Sequence, residues 1–394
     1  MARRVMGQWF WRSAAATSAL LAVACGSDTK SASNPTATSD AVATDLATTS
    51  DASTSNSVDA TATATDAITA DVPAPATATA LKLHIGDWTM KPKQEVTRCV
   101  IKRLDNVDPV FVHALHSKAV KGSHHLIVYR SDDTVEKPEP FDCDPFAETL
   151  SGNNIPLMIS QVYEETLTLP AGVAFEFQPK QMIRLEMHFL NYFKEDVTAK
   201  ADVTFDTLPP AEVKDKADMF FYGTGSFSLP PGKVTTTPWN WLPMWEGAKV
   251  FALTGHEHAL GTNVEIALQS TGTDAPSQAV YPPPGKAFDW AEPPMAQFDP
   301  PLAFDKMGGL SYRCTWNNTT DKTVTFGESA NQEMCFLWGY YYPSKGYRMC
   351  VNTSEIEQKY ARKYGIDLGP YICCPDDALC GLLKQWLGQA TSGN

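Results

Sequence analysis

Three features of the sequence predict an all-β protein built as two antiparallel β-sandwich domains. Short runs rich in apolar and β-branched residues recur between clusters of Pro, Gly and Asn: 109–115, 125–129, 183–190, 201–205, 249–253 and 264–268. Such spacing is the mark of sandwich strands rather than of alternating strands and helices. The 314 residues from Leu81 to Asn394 are enough for two hydrophobic cores. Helical periodicity is confined to Ser354–Tyr364, near the end.

Taken in order, residues 1–24 read as an export signal. Arg3, Arg4 and Arg12 precede a short apolar run, Ala14 to Ala24, too short to span a membrane. Ala22-Val23-Ala24-Cys25 reads as a lipobox, with Cys25 the candidate lipid anchor; the alternative is ordinary cleavage after Ala24. Residues 25–80 are a tether of Thr, Ala, Ser and Asp without an aromatic residue, which cannot bury enough apolar surface to offset chain entropy. As a flexible chain it would reach on the order of 40 Å. The first domain is expected at 81–207 and the second at 208–350, with the boundary at Leu208-Pro209-Pro210; a disulfide-rich tail occupies 351–394. The expected location is the periplasm, outer membrane or cell surface.

The net charge of −13 argues against nucleic acid and against binding through anionic head groups, leaving the lipid anchor as the only membrane contact. Of nine cysteines, eight remain beyond Cys25, and in an exported chain disulfides are the default. Cys99 and Cys143 are candidates for a pair in the first domain. Cys350, Cys373, Cys374 and Cys380 allow three pairings, of which the one joining adjacent Cys373 and Cys374 is strained; two remain open.

Five of the eight histidines fall in three strand-like places. His256 and His258, in the stretch 253–261, share one side of a strand and so aim two imidazoles at one point. Leu260 stands where the helical H-E-x-x-H motif needs its second His, which weakens a zinc-hydrolase reading. His124 and His125 are adjacent, so both reach one metal only if their strand ends, twists hard or bulges there. His188 closes the run Ile183–Phe189, and Glu333-Met334-Cys335 offers a thioether, a soft donor that selects for Cu(I). His113 and His116 fit no ligand pattern, and Trp239, Trp241 and Trp245 are explained by packing.

The order His-His, single His, His-x-His and Glu-Met-Cys, between about Cys99 and Tyr342, resembles the copper type II ascorbate-dependent monooxygenases, which include the peptide- and dopamine-hydroxylating enzymes. The resemblance implies two sandwich domains with a cleft between them and two copper ions per chain. His124, His125 and His188 would form an electron-transfer site; His256, His258 and Met334 would form the catalytic site for dioxygen and a small organic substrate. It also implies an external, ascorbate-like reductant and a Cys314–Cys335 bridge. The substrate grip departs from the family: its peptide-hydroxylating members carry Arg where this chain has Thr254, and Asn, Leu and Tyr where it has Phe336, Leu337 and Trp338. An apolar or aromatic substrate without an essential carboxylate is therefore expected. The rival reading is a non-catalytic, exported copper-binding or electron-transfer protein.

Overall fold

The computed structural model describes residues 80–144, 146, 153–304, 308–327, 329, 331–352 and 371–374. The lipobox cysteine, the tether, Cys380 and the helical stretch 354–364 lie outside them. Over the described residues the chain is all-β, and the one helical element is a three-residue 3-10 turn, Pro210–Glu212.

The first sandwich pairs two sheets. One orders Ala80–Met90, Val197–Leu208, Val110–Ala119, Val173–Phe177 and Asp215–Lys216, with Glu164–Thr168 also on Val110–Ala119. The other orders Lys137–Asp142, Glu95–Arg103, Met182–Leu190, Ser123–Ser131 and Asn154–Ser160. Period-two patterning places the first sheet: in Val197–Leu208, Ala199, Ala201, Val203 and Phe205 are buried while Lys200, Asp202 and Asp206 face water. Met182–Leu190 shows no such alternation, because neighbours cover both its faces.

The second sandwich follows after Lys216. Its inner sheet orders Ala296–Ala303, Lys249–His256, Phe336–Tyr342, Asp218–Gly223, Arg348–Asn352 and Tyr371–Cys374. Its outer sheet orders Lys233–Thr236, Gly309–Asn318, Gly261–Gln269 and Gln278–Tyr281, with Asn240–Pro243 also on Gly309–Asn318. Pairing is antiparallel with two exceptions. Asp215–Lys216 runs parallel to Val173–Phe177, and Arg348–Asn352 parallel to Asp218–Gly223. The second arises because the turn after Tyr342 steps over the end of Asp218–Gly223 and returns on its far side.

The central strands of the inner sheet are buried on both faces, and period two divides their side chains between two cores. Phe220, Tyr222, Leu337 and Tyr341 pack with Ile266, Tyr312 and Trp316 of the outer sheet. Phe221, Phe336, Trp338 and Tyr340 instead join the core of the first sandwich, beside Leu157, Ile159 and Phe175. Phe175 and Tyr340 meet edge to face at 6.5 Å, and Arg130 lies 3.6 Å from Asp218 across the same junction. The sandwiches thus share a packed junction, and a pocket of about 510 Å³ opens between them.

Bridges join Cys99–Cys143, Cys314–Cys335 and Cys350–Cys373, and Cys374 is disulfide-bonded as well. Cys314–Cys335 ties the outer sheet to the segment leading into Phe336–Tyr342. Replacing both cysteines by Ser should cost about 3 kcal/mol in the loop-entropy model. A shift of the urea midpoint worth less than about 1 kcal/mol would show that the loop is held by packing alone.

Candidate metal centre

His125 on Ser123–Ser131 sits directly opposite His188 on Met182–Leu190. The register slips between Ser123 and His125, making His124 the extra residue of a bulge, the distortion that lets neighbouring histidines face one point. Gly122 feeds that bulge with a φ of +104°, and a Cβ there would lie 2.6 Å from the Phe189 ring. One ring nitrogen from each of His124, His125 and His188 lies within 4.8 Å of the others.

Lys249–His256 ends at His256, and the chain turns away through Glu257 and His258, whose ring lies 5.1 Å from that of His256. Gly255 is required by close approach, since a Cβ would sit 2.6 Å from Val264. Glu333 fixes the exit: its carboxylate accepts the backbone N–H groups of His258 (2.9 Å) and Leu260 (2.7 Å) and the Trp316 indole N–H (3.0 Å). Met334 follows directly, just before the strand Phe336–Tyr342, with its side chain buried in the core shared by the sandwiches. It lies in the packed segment that Glu333 and Cys335 anchor on either side.

All five imidazoles form one cluster. The His124 ring lies 5.2 Å from His188, 5.6 Å from His125, 5.7 Å from His258 and 6.1 Å from His256. Burial pushes His124, His125 and His256 well below their ordinary pKa, helped by the neighbouring imidazoles, and brings His258 down to about 4. They are neutral at physiological pH, the form that ligates metals. Hydrogen bonds select the free nitrogen: His258 Nδ1 meets the Gln332 carbonyl at 2.9 Å, and His188 Nε2 meets Glu95 at 2.8 Å. The His188 hydrogen bond in turn holds the Glu95 pKa below its usual value. Both nitrogens of His125 and Nε2 of His256 are buried without a hydrogen-bond partner. A neutral imidazole carries one lone pair, and with His125 Nε2 lying 3.5 Å from the Glu186 carboxylate it is His125 Nδ1 and His256 Nε2 whose lone pairs are withdrawn from water, a cost that a soft-to-borderline metal would offset. The donor set therefore fits copper.

The pocket exposes His124, His188 and His258 on its floor and is walled by Tyr163, Tyr192 and Trp290. Its volume suits a small organic molecule. These wall residues, with Glu95 and Gln161, carried no motif and were not singled out from sequence; loops from both sandwiches assemble them. Phe336 and Trp338, the expected aromatic surface, do not line the pocket: both are buried in the junction, Trp338 stacked on Phe221 at 5.6 Å. Thr254 donates to the Pro294 carbonyl at 3.2 Å and offers no charge. His113 bonds to the Val173 carbonyl, and His116 to Asp206 and Thr166.

Residues 239–364 match the family described as "Copper type II ascorbate-dependent monooxygenase, C-terminal domain". No curated protein sequence matches the chain. Among solved structures, the major capsid protein P2 from bacteriophage PM2 is similar at a TM-score of 0.33 and 9% identity, covering 68% of this chain and 100% of that one. The STIV MCP is similar at 0.31 and 8%, covering 67% and 97%.

Proposed function

We propose, from the match of residues 239–364 to the C-terminal domain of the copper type II ascorbate-dependent monooxygenases, that this chain is an exported copper monooxygenase hydroxylating a C–H bond of a small apolar or aromatic substrate. The observation that carries the reading is the pocket over three of the five clustered imidazoles. His124, His125 and His188 would hold one copper, and His256, His258 and Met334 a second. Copper in such sites supplies one-electron chemistry with dioxygen, and an external ascorbate-like donor would supply the electrons.

The chain's own residues do the rest. Glu95 holds His188 by its Nε2, leaving Nδ1 for a metal. Gln332 orients His258 in the same way. The thioether of Met334 favours the reduced ion. Tyr163, Tyr192 and Trp290 present apolar faces to a substrate, and Glu95 is the one carboxylate of the pocket lining, which disfavours anionic substrates. The three described disulfides accord with export from a reducing compartment. Lipid on Cys25 belongs to the same proposal.

Copper-loaded, zinc-free protein should contain two coppers per chain and consume dioxygen with ascorbate when given a small aromatic substrate. One copper per chain after full loading would remove the second site. Absence of turnover across neutral aromatic substrates, with both coppers bound, would leave a copper-binding protein. Met334→Leu should fold normally, since that exchange usually costs under about 1.5 kcal/mol, yet lose most turnover. Wild-type turnover and copper content in this variant would take Met334 out of the site.

A further inference from the structure

We infer that Gln161, a residue of the first sandwich, is a positioning residue that fixes the tautomer of His256 in the second and so aims the His256 Nε2 lone pair into the histidine cluster. Gln161 follows directly on the strand Asn154–Ser160, whereas His256 ends Lys249–His256. Its amide reaches across the junction and touches the second sandwich three times. Nε2 lies 3.2 Å from the Gly255 carbonyl and 3.5 Å from Thr254 Oγ1, and Oε1 lies 2.5 Å from His256 Nδ1.

The chemistry of these partners leaves one assignment. A carbonyl oxygen only accepts, so the amide NH2 must face Gly255. The amide oxygen then faces His256, and because it too only accepts, Nδ1 must carry the proton. Turning the amide over would set two carbonyl oxygens against each other. His256 Nε2 is left with its lone pair, buried and without a hydrogen-bond partner. Gln161 is itself buried, and its loop is held by Ser160 Oγ donating to the Val162 carbonyl at 3.0 Å and by Ala119 N–H donating to the Tyr163 carbonyl at 2.7 Å. One ligand of the second set is therefore oriented by the domain that carries the first set. The tautomer assignment stands on hydrogen-bond geometry; only its consequence for copper rests on the function proposed above.

The full metal-free chain, labelled with 15N-histidine, reports the tautomer by long-range 1H–15N spectra at neutral pH, with His256 assigned through its loss in His256→Ala. Wild type should show His256 as the Nδ1–H form. Gln161→Glu, held as the neutral acid in this buried place, accepts from Nδ1 through its carbonyl oxygen and donates its O–H to the Gly255 carbonyl, and should preserve that form. Gln161→Leu should mix in the Nε2–H form while leaving His258, bonded to Gln332, unchanged. Cu(I) affinity of the second ligand set should then fall roughly tenfold or more in Gln161→Leu, with the first set unaffected. An Nε2–H His256 in wild type, or an unaltered tautomer in Gln161→Leu, overturns the inference. Should Gln161→Leu fail to fold, wild type and Gln161→Glu decide it between them. If the tautomers behave as stated but wild type takes up no copper, the copper reading fails and the positioning role stands.

Discussion

Trp338→Ala is expected to lower stability by about 3–5 kcal/mol, the usual cost of truncating a buried Trp to Ala. Trp338 is fully buried, on a strand enclosed on both faces, and stacks against Phe221 with an interplanar angle of 8°. The void would open inside the packed core that the two sandwiches share. Against a typical domain stability of roughly 5–15 kcal/mol, this is a large fraction. The Trp338 ring also lies 6.0 Å from that of His256, so the variant should lose copper from the second ligand set before the first. Urea unfolding and copper analysis check both parts. A cost below about 1 kcal/mol would mean that Trp338 does not hold the junction together.

Glu333→Ala is expected to be comparably severe and more local. Three buried donors, the N–H groups of His258 and Leu260 and the Trp316 indole, would lose their acceptor at once. Each unsatisfied donor costs about 1–3 kcal/mol. The His258 loop should then come free of the segment that carries Met334, and copper bound by the second set should fall even where the protein remains folded. Glu333→Gln retains one acceptor oxygen and should recover part of both losses. Full copper retention in Glu333→Ala would show that packing alone places His258.

The sequence displayed the fold class and the candidate donors because both are written locally. Alternation in Val197–Leu208 and short apolar runs elsewhere mark strands, while His-x-His and His-His announce themselves by spacing. The bulge at His124 is one of the three distortions that two adjacent histidines sharing a face would require. What it did not display depends on pairing between distant segments. Tyr163, Tyr192, Trp290 and Gln161 are ordinary loop residues until two sandwiches bring them together. Phe336 and Trp338 looked like substrate surface because their neighbours in sequence are candidate ligands; only the two-sided burial of their strand turns them inward. Glu333 read as a flanking letter of a motif, and its role appears only when His258 and Leu260 are seen to point their N–H groups at it.

The inner sheet of the second sandwich also bears on how this molecule can be taken apart. Phe221, Phe336, Trp338 and Tyr340 form a face whose cover is another domain. A fragment starting near residue 239 would lack Asp218–Gly223, the strand lying between Phe336–Tyr342 and Arg348–Asn352 that carries Phe221, and would leave Phe336, Trp338 and Tyr340 in water beside two unpaired edges. Such a piece has the composition of an aggregating sheet rather than of a free-standing module. Any exchange of halves between relatives of this chain would have to carry the junction aromatics from both sides together, because side chains of the second sandwich complete the core of the first.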